Sequence, residues 1–61
     1  MNRNEVYEAA SKAEYWARDI TLLLDDMTSM DEVTIALAKQ DGLEILDEIR
    51  LHLNTIERYL S

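Results

Sequence analysis

The chain has 61 residues, 13 acidic and 6 basic side chains, and a formal charge of −7; it lacks Cys, Pro and Phe and has one Gly, one His and one Trp. These counts exclude a disulfide scaffold, a thiolate metal centre and a multi-domain enzyme. No unbroken apolar run comes near the roughly 20 residues of a membrane span, and the charge opposes binding to phosphate-rich nucleic acid or anionic lipid.

A domain of about 60 residues buries only roughly 60% of its unfolded surface and is marginal alone. Small domains add a disulfide, a metal or a partner chain. Without Cys, and with one His, self-association is the staple left over. The sequence therefore predicts an all-α protein: one small bundle of two or three antiparallel helices, completed by homodimerisation. Residues 1–5 show no charged-then-apolar leader pattern, so a cytoplasmic setting is expected.

The first helix is expected over 3–27. Asn2 and Glu5 form a capping box at its start. Apolar residues follow at Val6, Ala10, Ala13, Ala17, Ile20, Leu24 and Met27, spaced four and three apart in turn, as in a coiled-coil seam. Ala9, Trp16 and Leu23 widen that seam. Ser29 and Glu32 make a second capping box, so a new helix is expected from about residue 30 after a very short turn. Lys39-Gln40-Asp41-Gly42 reads as a helix end, and Asp41 begins a third capping box. The favoured division is thus 3–27, 30–39 and 42–60. The alternative is one helix running through Gly42, since a lone helical Gly costs only about 1 kcal/mol.

The last segment repeats the seam, and its apolar face (Leu46, Ile49, His52, Leu53, Ile56, Tyr59 and Leu60) is the expected oligomer interface. His52 is the sole imidazole. It lies four residues after Glu48, not in the Glu-x-x-His spacing of di-iron bundles. Glu44 and Asp47 stand alone as an acidic pair. Ser11, Ser29 and Ser61 lack a base and orienter, and the acids near the turn do not match a calcium loop. No metal, cofactor or catalytic residue is expected.

Charge is unevenly spread. Between Arg18 and Lys39 lie Asp19, Asp25, Asp26, Asp31 and Glu32 with no base; between Lys39 and Arg50 lie Asp41, Glu44, Asp47 and Glu48. Asp25 and Asp26 sit at a helix C-terminus, where the dipole disfavours them. Tyr15 and Leu22 form a second, outer stripe on the first helix. The expected role is a non-enzymatic regulatory module of phage or microbial accessory type. It would draw in a protein with a basic surface through Asp25, Asp26, Asp31 and Glu32, then dock it on Tyr15 and Leu22. The alternative is a nucleic-acid mimic whose carboxylates fill the groove of a DNA- or RNA-binding enzyme. Direct nucleic-acid binding is not expected, because acids flank most of the six basic residues.

Overall fold

The computed structural model describes residues 2–61 and holds two helices, α1 (Arg3–Met27) and α2 (Glu32–Leu60). They pack against each other along an elongated body of 45 × 14 × 13 Å. At about 1.5 Å per residue, α2 alone spans nearly the whole long axis.

Helix α1 begins as its sequence expects. Asn2 adopts extended backbone, and its side-chain oxygen accepts from the Glu5 N–H at 2.9 Å. Its far end closes differently from the expectation. Ser29 does not cap the next helix; its hydroxyl donates back to the Asp26 carbonyl at 3.1 Å, and the Thr28 hydroxyl donates to the Asp25 carbonyl at 2.8 Å. The backbone N–H groups of Thr28 and Ser29 bond the same two carbonyls. Polar hydrogens thus satisfy the end of α1, which has no basic residue in its last turn.

The cap of α2 is Asp31, whose Oδ1 accepts from the Thr34 N–H at 2.8 Å. An ionised carboxylate accepts more strongly than a hydroxyl, so Asp31 outcompetes Ser29 for the cap and the helix starts two residues later than expected. The Thr34 N–H, and next the Thr34 hydroxyl, hold the Asp31 carboxyl below its ordinary value of 3.8.

The favoured break at residues 40–41 is absent: α2 runs unbroken through Gly42, as in the alternative. Gly42 has no positive φ. A Cβ placed on it would meet Leu23 Cδ2 at 3.4 Å and Ile20 Cδ1 at 3.8 Å, so large side chains of α1 lie directly over it. This packing supports the helix where the sequence alone suggests a stop.

The same contacts set the register. Gly42 lies beside Leu23, while Leu23, Met27, Ala38 and Gly42 line one hollow, so the helices run antiparallel. The α1 residues withdrawn from solvent are Val6, Ala9, Ala13, Trp16, Asp19, Ile20, Leu23 and Met27, and all but Asp19 form one row. On α2 the corresponding row is Ile35, Ala38, Gly42, Ile45, Ile49, His52 and Ile56. Both rows keep the three-and-four spacing of a helix pair.

This corrects the expected seam at three places. Ala10, Ala17 and Leu24 lie outside it, and Leu24 is 59% exposed. Among the described residues the buried ones are Ala9, Ala13 and Ala38, at 6%, 8% and 5% exposure. Among the described residues, no side chain is fully enclosed. The alanines allow close approach, but two helices alone cannot wrap an Ile or a Leu on every side.

Candidate functional site: an acidic groove on one flank

Each side chain one position away from the seam falls on one of two flanks. On α1, Asp19 and Asp26 are seven residues apart and share one stripe; on α2, Asp41 and Glu48 do the same. Antiparallel pairing brings these stripes to the same flank. Asp19, Leu22, Asp26, Asp41 and Ile45 line one shallow cleft, and Trp16, Asp41, Glu44, Ile45 and Glu48 line the next. Asp41 and Ile45 belong to both, so the two clefts form one groove.

The groove has five carboxylates on its walls and an apolar floor of Trp16, Leu22 and Ile45. No basic side chain lines it. Of its acids, Glu48 approaches the imidazole of His52, with Nε2 3.7 Å from Oε2, a pair that is ionic only when the imidazole is protonated. The other ion pairs lie along single helices, Lys12 with Glu8 at 3.1 Å and Arg50 with Asp47 at 3.2 Å, both well exposed. Such pairs contribute little to stability. Among the described residues, no three acidic or histidine side chains converge on a point where a metal ion could sit. The carboxylates are spread out, a layout suited to an extended cationic partner.

The expected partner-binding residues divide between faces. Asp26 and Leu22 lie in the groove. Tyr15 is one helical stripe with Leu22, but it lines a separate depression with Ser11, Glu14 and Arg18, and its ring meets Trp16 edge to face at 5.3 Å and 79°. Asp25 is exposed, one residue round the helix from Asp26. Asp31 is committed to its own helix cap, and Glu32 is exposed at the first turn. Of the four turn acids, Asp26 is the one that lines the groove.

The expected oligomer face divides likewise. Ile49, His52 and Ile56 belong to the α2 row that closes on α1, and His52 keeps 15% side-chain exposure at its edge. Leu46 is half-buried, while Leu53, Tyr59 and Leu60 are open to solvent.

Sequence inspection does not single out Trp16, Asp19, Asp41 and Ile45 as parts of one site. The available signal is the seven-residue repeat of acids, Asp19 to Asp26 and Asp41 to Glu48, which matters only once the register is known. Among the described residues, no helix is long and apolar enough to cross a membrane. Compared with protein-family models, curated proteins and solved structures, the chain matches none. The geometry of the hairpin alone therefore carries the functional argument.

Proposed function

We propose that this protein is a homodimeric, non-enzymatic interaction module that docks a basic, partly apolar segment of another protein and modulates that protein. The observation that supports it is the groove. Carboxylates of Asp19, Asp26, Asp41, Glu44 and Glu48 surround Trp16, Leu22 and Ile45 with no cation of the chain's own among them. Acids raise the rate of encounter with a basic surface, and the apolar floor supplies contact area once water leaves. A Lys or Arg of the partner gains both a carboxylate and the face of Trp16. The role needs no cofactor and is compatible with a cytoplasmic setting.

Affinity capture with the intact chain and with an Asp41→Lys, Glu48→Lys variant tests the role. The expected result is a partner with a basic surface, bound by the intact chain, released by salt and lost by the variant. Equal capture by both chains would overturn it.

One observation favours a second reading, the nucleic-acid mimic. The repeats Asp19–Asp26 and Asp41–Glu48 place acids about 10.5 Å apart along each edge of the groove. A mimic would be displaced from its partner by an unrelated nucleic-acid duplex, whereas a docked peptide segment outside a nucleic-acid site would stay bound.

A further inference from the structure

The flank opposite the groove has the reverse character. On α2 the seven-residue stripe is Lys39, Leu46, Leu53 and Leu60; on α1 it is Ala10, Ala17 and Leu24. Near the turn these stripes meet: Leu24, Lys39, Leu43 and Leu46 line one hollow with the seam residues Leu23 and Met27. Leu24, Leu43, Leu53 and Leu60 are each at least half exposed. One repeat further back the stripes begin with Arg3 on α1 and Glu32 on α2, charges of opposite sign; between those ends Lys39 is the charge they carry. We infer that this flank is the docking surface for a second copy of the chain, which closes the hairpin into a four-helix bundle and leaves both acidic grooves facing outward.

Three observations favour a second copy as the occupant. The first is area. A folded monomer of 7.1 kDa is expected to expose about 4,100 Å². This chain exposes 4979 Å². The excess, about 900 Å², is close to the roughly 800 Å² that each partner buries in a standard specific interface. The radius of gyration agrees: 14.2 Å against about 10.5 Å for a compact chain of this length.

The second is charge. Pairing two copies through the groove would set ten carboxylates against one another, and like charges brought together oppose association. The opposite flank carries no such barrier. The third is shape. The flank has a row of alanines on α1 beside a row of leucines on α2. A two-fold pairing that lays α1 of one copy over α2 of the other sets leucine against alanine at both halves of an isologous interface.

This inference rests on the homodimeric reading above and adds which face is used, so the test separates the two. Sedimentation equilibrium on the intact chain, over a dilution series, is expected to give twice the 7.1 kDa of one chain, falling to single mass on dilution. Leu53→Glu is expected to weaken self-association by roughly 100-fold or more, because a two-fold interface feels the buried charge twice. Leu22→Glu, in the groove, is expected to leave it unchanged. An intact chain that is monomeric throughout overturns the dimer itself. An intact dimer that Leu53→Glu leaves whole, or that Leu22→Glu dissociates, overturns this face alone.

Should Leu53→Glu fail to fold, a conservative variant carries the same test. The thiol of Leu53→Cys, the only thiol in that chain, is expected to react slowly with an alkylating reagent in concentrated samples and rapidly on dilution. The thiol of Leu22→Cys is expected to react rapidly at both. Equal rates for the two thiols in concentrated, dimeric samples would contradict the assignment.

Discussion

The two flanks of the hairpin are built on the same seam and differ by a shift of one residue. Stepping forward from the α1 positions Ala9, Trp16 and Leu23 gives Ala10, Ala17 and Leu24; stepping back from Ala13, Ile20 and Met27 gives Lys12, Asp19 and Asp26. On α2, stepping forward from Ala38, Ile45 and His52 gives Lys39, Leu46 and Leu53, and stepping back from Gly42, Ile49 and Ile56 gives Asp41, Glu48 and Thr55. Apart from Lys39, one side of the molecule extends the core outward; the other places Asp19, Asp26, Asp41 and Glu48 along its middle, with Lys12 and Thr55 beyond them.

The largest expected effect breaks both flanks at once. Ala13→Leu places a branched side chain at a buried position between the helices, and it should destabilise the fold by about 1–3 kcal/mol. Chemical denaturation of the variant measures this directly. A change within experimental error would mean that the alanines do not set the helix spacing.

Reversing charge on one flank sharpens the contrast. Asp26→Lys with Asp41→Lys should slow partner association by about 10-fold or more at low salt, while helicity and the unfolding midpoint stay as in the parent chain. Stopped-flow association and circular dichroism provide the two readouts. A loss of helix content instead would show that the acids serve the fold.

Gly42→Ala acts on the seam beneath both flanks and should stabilise the chain by about 0.5–1 kcal/mol. The new methyl meets Leu23 and Ile20 at ordinary contact distance, and the backbone there is already helical. A lowered thermal midpoint would mean that Leu23 cannot give the small space required.

The smallest effect lies at the turn, outside both flanks. The Asp31 carboxyl titrates lower in the folded chain than in the unfolded one, chiefly because it accepts the Thr34 N–H. Its contribution is therefore full above the ordinary value of 3.8 and is lost as pH falls through the folded value. Asp31→Asn should keep a capping oxygen and flatten the acid limb of the stability curve below about pH 4. An unchanged acid limb would remove Asp31 as its source.

Much of this architecture is legible in the amino-acid order, and the failures have physical causes. Asn2 rather than Asn4 marks the start of α1 because Asn2 has Glu5 three residues on to complete a capping box, where Asn4 has Tyr7. The start of α2 is harder because Ser29 and Asp31 are both capping residues two positions apart, and only their relative strength as acceptors decides. Gly42 looks like a stop because its support comes from Leu23 and Ile20, which are remote in sequence. The α1 seam is ambiguous because apolar residues come in neighbouring pairs, Ala9 with Ala10, Trp16 with Ala17 and Leu23 with Leu24. Either member fits the spacing, and only the position of α2 selects one. The acidic groove is the least legible feature. Asp19 and Asp41 are 22 positions apart and meet only through the antiparallel register. The clustered acids at the turn attract more notice, yet of the four only Asp26 lines the groove.

Coverage of the exposed leucine flank by another copy of the chain is the central proposal. The most direct measurement is the solution mass of the unaltered protein followed from high concentration to high dilution, with the thermal midpoint recorded at each step. A mass of twice 7.1 kDa that halves on dilution, with a midpoint that falls in parallel, is the predicted result. A constant 7.1 kDa with an unvarying midpoint would contradict it.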